Sequence, residues 1–536
     1  MDKKIISGSF WLSFGSIFSR ILGVVYLIPW LAMIGSPQHQ TVAQALFNTA
    51  YTPYALFIAL GTAGFPSAIA RRVAFFNGED SFINSKHIAV AGFGFMVVSG
   101  LICGALLYGL APVLAANSPV SSVANATIAI RCLVPAIVIL PSMSILRGWF
   151  QGNGDLKPFG ISQLWEQFIR IIVILLGTYW LIEVSHQGYV AAVFVSVAAA
   201  FVGAVASYLY LLGHLWRQRG TYRRLTATSQ TGKQHAARKL LKMIGYESIP
   251  FVIVGSGITL SQLVDQLFFK QIMQGLLHQS AAMTQYVFTI FSANPNKITT
   301  VIVSLAMAVA ETSLPLLAGK LADIKKNRQQ IGALLTNNFQ LLTFVLLPLV
   351  ILVSVFAFPT YGIFFNFDGA GATYLIANVW QSLILGLALD LLTVLQALRM
   401  SKKATTYLLT GLGIKIVLQL PLVYCFQGYG ALLTTGIAFG WITVVSWRLI
   451  RRSYAVELTA IRPIVRLNLV FAVLATVLVD GCQWIIGSTF FTGKLLTMGY
   501  VAVLGLISVG LYVWLANRLG VAELIFKRPL RLELRR

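Results

Sequence analysis

Apolar runs of about 20 residues, each closed by a short polar or basic stretch, recur along the whole 536-residue chain and match the length a helix needs to cross a bilayer. Splitting at charged or Gly/Pro/Asn-rich breaks predicts fourteen spans, at 5–34, 42–70, 87–112, 123–146, 159–183, 188–216, 246–270, 283–318, 331–358, 374–398, 404–426, 429–450, 463–487 and 495–517. The runs are too continuous for the alternating strands of a membrane barrel. The predicted fold class is therefore an all-α integral membrane protein. Its first span follows Met1-Asp2-Lys3-Lys4, outruns the apolar core of a signal peptide and has no small-residue cleavage site, so it is read as a membrane helix and not a leader.

Composition agrees, with 57% apolar and 10% charged residues and a mean hydropathy of +0.79, against about 25% charged in a soluble domain. Forty Lys and Arg against sixteen Asp and Glu leave a net charge of +24. Basic nucleic-acid modules do not sit among long apolar runs, so no nucleic-acid partner is expected and the bilayer itself is the first partner. Cytoplasmic loops collect Lys and Arg. With the N-terminus inside, thirty-three of the forty bases fall in inner segments and only Lys494 in an outer loop. One helix more or fewer would invert every later loop, so both termini are predicted cytoplasmic. The segment 217–245 carries eight bases from Arg217 to Lys242 and reads as a basic cytoplasmic linker that can lie on anionic headgroups.

Gln187-Gly188-Tyr189-Val190-Ala191 recurs as Gln427-Gly428-Tyr429-Gly430-Ala431, 240 residues later. The first and seventh spans start 241 residues apart, and the fourth span of each half ends in a basic turn, at Arg147 to Lys157 and at Arg399 to Lys403. Matching offsets imply a duplication: a lobe at 1–216, the linker, a second lobe at 246–452, and two further helices with a tail at 453–536. Six spans per half give the two halves one orientation, the arrangement of transporters that rock two lobes about a central site.

Six bases remain in or at the edges of spans: Arg20, Arg131, Arg170, Lys270, Lys297 and Lys415. Each costs roughly 2.5–3.5 kcal/mol in lipid, so each needs a cavity, a partner or the interface. Gln163, Glu166, Gln167 and Arg170 form one stripe on the fifth span, where Glu166 and Arg170 are spaced to pair. The first span aligns Ser9, Ser13, Ser16 and Arg20; the seventh offers Ser261, Gln262, Asp265 and Gln266; the eighth breaks at Asn294-Pro295-Asn296, then aligns Lys297, Thr300, Ser304 and Glu311. The tenth aligns Ser382, Gly386 and Asp390, and the eleventh Gly411, Lys415 and Gln419. Arg20, Lys297 and Lys415 sit near mid-span without an acid one turn away and are assigned to a basic cavity. Arg131 either joins them or snorkels outward; Arg170 is either a cavity residue or the structural partner of Glu166; Lys270 snorkels. A cavity lined by Arg20, Arg131, Arg170, Lys297, Lys415, Glu166 and Gln163 suits an anionic ligand, with arginine forks for phosphate oxygens. Asp265, Glu311 and Asp390 are candidates for ion coupling, or else counter-ions of Lys297 and Lys415.

No P-loop and no H-E-x-x-H occurs, the six His are scattered, and Cys103, Cys132, Cys425 and Cys482 show no metal or disulfide spacing. No enzyme, cofactor or metal is expected, and energy for transport would come from the membrane potential or a Na+ or H+ gradient. Arg147-Gly148-Trp149-Phe150-Gln151-Gly152, with Lys157-Pro158, Ser162-Gln163, Glu166-Gln167 and Arg170, resembles the signature of the SpoVB/YtgP branch of the polysaccharide exporters. Gly64-Phe65-Pro66-Ser67-Ala68-Ile69-Ala70-Arg71 and Arg20-Ile21-Leu22-Gly23 are similar to two more of its motifs, and the resemblance spans the chain.

That branch belongs to the superfamily of MurJ, MATE exporters and Wzx-type flippases. The resemblance implies two six-helix lobes about a cationic cavity, a groove for a lipid tail at the last two helices, and lipid II, a lipid-linked pyrophosphate oligosaccharide, as cargo meeting Arg20. It implies a monomer in the bacterial plasma membrane. Thr41 to Ala70 carries no charge, unlike the second helix of Gram-negative MurJ, so residue roles from that subgroup do not transfer there. A flippase for teichoic, capsular or exopolysaccharide units fits the same architecture. A MATE-like drug exporter fits less well, because cationic drugs want an acidic cavity.

Overall fold

The computed structural model describes residues 11, 15, 18–62, 64–229, 237–320, 324–486 and 493–526; the side chains of 237–244, 247, 311–327, 458 and 486 lie outside that description. Among the described residues every regular element is a helix. Ten helices are long and apolar enough to cross a membrane, or eleven with the bent pair Ser248–Gly255 and Gly257–Leu276 counted as one span. Their outward surfaces are apolar: Val90, Leu101, Ile102, Leu176 and Leu209 in one part of the chain and Val417, Val477 and Leu506 in another are each more than half exposed. In water such continuous apolar surface would drive association; it is the surface of a multi-pass membrane protein.

By packing, the chain divides into residues 1–289 and 290–536. The first unit contains α1 (Phe18–Ile34), α2 (Pro37–Thr62), α3 (Phe65–Gly78), α4 (Phe82–Ala116), α5 (Val123–Cys132), α6 (Val134–Gly152), α7 (Lys157–Tyr179), α8 (Tyr189–Arg217), α9 (Arg219–Ala227), α10 (Ala237–Gly255), α11 (Gly257–Lys270) and α12 (Ala281–Phe288). The packing boundary thus falls beyond the basic linker, and α11, which the repeat places in the second half, is held in the first unit. Its Gln266 amide donates to Thr49 O (3.0 Å) and Ser118 Oγ (2.8 Å), and Lys270 Nζ donates to Ala116 O (2.7 Å). Lys270 therefore caps the carbonyl end of α4, where a cation is favoured.

The motifs behind the family resemblance turn out to be packing surfaces. A Cβ on Gly148 would lie 2.6 Å from Pro66 O, and one on Gly152 would lie 2.7 Å from Ala70 O. The glycines of the α6 motif thus let its backbone press on the Gly64-to-Arg71 motif of α3, as small residues do between membrane helices. Gly64 itself has φ +71°, a left-handed conformation glycine adopts without strain, and Pro66 then opens α3 in its first turn.

The second unit contains α13 (Pro295–Lys320), α14 (Ile324–Val355), α15 (Ala357–Phe364), α16 (Gly369–Ala397), α17 (Ser401–Ser453), α18 (Arg462–Ile486), α19 (Lys494–Arg518) and α20 (Val521–Phe526). At about 1.5 Å per residue α17 would be far longer than a bilayer is thick. It is two helices joined at Gln427, whose φ of 51° and ψ of −124° break the ladder. Beside the first copy of the pentapeptide the chain also turns, with His186 at φ 50°, one residue before Gln187, the counterpart of Gln427. The C-terminal pair α18 and α19 packs on α14 through Phe344, Leu467, Phe471 and Tyr512, with Tyr512 OH donating to Phe344 O at 3.0 Å.

Candidate functional site

In the first unit the site is built where α1, α2 and α7 meet. A Cβ on Gly15 would lie 2.6 Å from Gly160 O, and one on Gly23 would lie 3.2 Å from Gln167 Nε2. Two such contacts, 15 with 160 and 23 with 167, make the first and fifth spans parallel neighbours in register. Arg20, which is exposed, therefore stands at the height of Gln163 to Gln167. Gln163 is half-buried and its Oε1 has no hydrogen-bond partner, leaving an acceptor unused beside the polar stripe.

Glu166 and Arg170 do not form the pair their spacing predicts. Glu166 Oε2 accepts from Arg147 at 2.8 Å, and Arg147 also donates to Ser162 Oγ (2.9 Å) and Ser207 Oγ (3.0 Å). Ser207 Oγ in turn donates to Ser162 O (3.0 Å). The reason is geometric: an i,i+4 pair on one helix face is worth only about 0.3–0.5 kcal/mol, whereas Arg147 bonds groups from α7 and α8 at once and is only 13% exposed. Arg147, counted as a loop charge in the sequence, is the centre of a three-helix clasp. Arg147→Met is expected to lower the stability of the purified protein by about 1–3 kcal/mol, the usual result of stranding part-buried polar groups; unchanged thermal unfolding in detergent would contradict the clasp.

Freed from Glu166, Arg170 lies over the ring of Tyr51 with 5.3 Å from its guanidinium carbon to the ring centre, and Tyr51 packs on Tyr54 at 5.3 Å between centroids. The ring of Tyr51 and a hydrogen bond to the same side chain hold this cation in place. Arg131 is half-buried over Tyr108 at 4.3 Å, and Tyr108 is itself more than half exposed, so this cation is held between α4 and α5. Asp265 is buried on α11 next to Gln266.

In the second unit the notable feature is a broken helix. A π-helical turn at Thr289–Ala293 ends at Asn294, Pro295 opens α13, and Lys297 is the third residue of the new helix. The break is held from outside: Asn294 Nδ2 donates to Tyr361 OH (2.7 Å), and Asn378 Nδ2 donates to Phe291 O (2.9 Å). An ammonium in the first turn adds to the positive end of the helix dipole, and such a half-helix N-terminus is a ready anion site.

Two other sequence candidates are fully buried in helix packing. Lys415 is fully buried between the two halves of α17, donating to Thr435 Oγ1, while Thr434 Oγ1 donates to Gln419 Oε1 at 2.9 Å. Asp390 is fully buried and accepts both bonds from Asn338 Nδ2, at 3.0 and 2.9 Å; an amide of α14, and not Lys297 or Lys415, satisfies it. Glu311 lies outside the described side chains. Lys415→Met is expected to leave transport intact, because a buried cation with no access to cargo is replaceable by an apolar residue of similar length; loss of complementation with normal protein level would return Lys415 to the transport path.

The fold is one shared with solved membrane transporters. It superposes on the lipid II flippase MurJ in an inward closed conformation with a TM-score of 0.66, at 14% identity, covering 96% of this chain and 99% of that one. An inward-facing multidrug resistance MATE family transporter of the MOP superfamily gives 0.60 at 15% identity, covering 83% and 97%. The chain belongs to the polysaccharide biosynthesis protein family, which residues 5–321 match. Over 545 aligned residues it is 28% identical to lipid II flippase MurJ of Bacillus subtilis (strain 168), covering 99% of this chain and 98% of the relative. Stage V sporulation protein B of the same organism is 27% identical over 209 residues, 39% of this chain and 38% of that protein.

Proposed function

We propose that this protein is a flippase of the bacterial cell membrane that carries lipid II from the inner to the outer leaflet by alternating access. The observation that carries the proposal is the end-to-end likeness to Bacillus subtilis MurJ, supported by a fold match that takes in the C-terminal helices as well as the two halves. The role is transport, not catalysis. Fourteen spans with both termini cytoplasmic are the topology proposed: the ten long apolar helices, α17 counted as two, the bent pair, α1, and the span of α12 and α13 make that number.

In this reading Arg20, Arg170 and Gln163 of the first unit are the candidate contacts of the pyrophosphate, with Glu166 setting the position of Arg147, and Lys297 at the broken helix of the second unit is a separate candidate anion contact. Arg131 acts at the outer end. The exposed apolar faces of α18 and α19 suit the polyprenyl tail. The working protein is a monomer without a cofactor, driven by the membrane potential or a Na+ or H+ gradient, with Asp265 and Glu311 as candidate coupling acids and Asp390 a weaker one because Asn338 already satisfies it. The lobes that rock in this reading are 1–216 and 246–452, joined by the linker 217–245, so the bonds of Gln266 and Lys270 to the first lobe would have to exchange as they move.

Complementation of a bacterium depleted of its lipid II flippase tests the proposal: growth and externalised lipid II should return. Failure there, with rescue of a strain lacking a flippase for another lipid-linked saccharide, would favour that second reading. Drug sensitivity with normal lipid II export would favour a MATE-like exporter.

A further inference from the structure

The first unit holds a cavity of about 680 Å³ at the inner ends of three spans, distinct from the α1–α7 stripe. Phe82, Ala89 and Phe93 of α4, Leu146 and Trp149 of α6 and Leu212 of α8 make its apolar walls. The linker helix α9 closes it with Tyr222, which packs on Phe82 (5.8 Å) and Trp149 (5.5 Å). The bases at its edge are Lys86, Arg219 and Arg223, all exposed, and no Asp or Glu lines it. The nearby carboxylate of Asp155 is engaged by His214 (3.2 Å) and Gln218 (3.1 Å). Arg219 also lies over Trp216, at 4.5 Å, and that indole is 63% exposed, the placing of a tryptophan at a headgroup boundary.

We infer that this groove binds one anionic glycerophospholipid of the inner leaflet, an acyl chain lying between α4, α6 and α8 and the phosphate meeting Lys86, Arg219 and Arg223. Charge complementarity selects the occupant. The walls accept hydrocarbon, the rim is cationic without a compensating acid, and both lie where the positive loops place the cytoplasmic headgroup layer. The bound lipid fastens the linker helix to the spans beside it. The inference concerns a lipid that stays bound and does not depend on which cargo is moved.

Native mass spectrometry of the purified full-length protein, supplied with phosphatidylglycerol or phosphatidylcholine, tests it. One phosphatidylglycerol should be retained preferentially. Each basic residue near an anionic headgroup contributes about a five-fold factor, so Lys86→Gln/Arg219→Gln/Arg223→Gln should weaken retention roughly a hundred-fold. Val90→Trp, at an exposed lining position, should fill the groove and abolish retention with the charges intact. Equal retention of phosphatidylcholine, unaltered binding in both variants, or displacement by glycerophosphate at matched concentration would overturn the proposal. So would polyprenyl phosphate displacing phosphatidylglycerol at equimolar ratio, which would give the groove to the cargo's tail.

Discussion

Replacing Arg20 with alanine is expected to stop lipid II externalisation while leaving the protein in the membrane at its normal level. Arg20 is an exposed cation at the height of Gln163 and Gln167, in a span where a charge is costly unless a partner or a polar cavity receives it. A bond to a charged group is worth about 1.5–3 kcal/mol, so one lost guanidinium contact slows transfer by roughly 10- to 150-fold, and two phosphate oxygens lost together slow it further. Arg20→Lys should recover part of the rate, since lysine keeps the charge but not the fork. The measurement is the fraction of lipid II reached by a membrane-impermeant modifying reagent in a depleted strain carrying each variant. Full rescue by Arg20→Ala would remove this residue from the transport path.

The second large effect is expected at Lys297. Lys297→Met removes the ammonium but keeps the Pro295 break and its two amide supports, Asn294 to Tyr361 and Asn378 to Phe291. Externalisation should fall by about the same 10- to 150-fold, at a normal level of protein in the membrane. Asn378→Leu should instead lower stability, because it leaves Phe291 O without its buried donor. If Lys297→Met transports normally, the half-helix end alone suffices for the anion and the ammonium is structural.

Much of the fold was legible because membrane helices announce themselves by length and hydropathy, and because the loop charges check the count independently. The pentapeptide repeat was legible too: one copy opens on the positive-φ residue Gln427 and the other directly follows one, His186. What the chain concealed was partner choice across helices. Arg147 lies nineteen residues from Glu166 and sixty from Ser207, separations with no periodic trace, whereas the i,i+4 spacing of Glu166 and Arg170 is visible and weak. Lys415 shows the same limit: its stripe is real, but the face it marks is turned onto Thr435 of the next helix. The placing of α11 with the first unit could not be read from a duplication, since it depends on where the Gln266 amide finds its acceptors. One usable clue was overlooked: Ser162 and Ser207 are small hydroxyl residues on otherwise apolar faces, the residues a buried guanidinium needs nearby.

The Arg147 clasp has a mechanical consequence. By bonding to α7 and α8 from α6, it welds three neighbouring spans into one lever arm, and a lever transmits rotation only if it does not flex. In the proposed alternating access, compliance would fall to the helices left outside the weld, two of which are already bent: at the Gly64 turn between α2 and α3, and at the Gly255-Ser256 bend between α10 and α11. A motif that reads along the sequence as a transport signature thus works as stiffening, and in the proposed cycle the glycines beside it would serve as the joints.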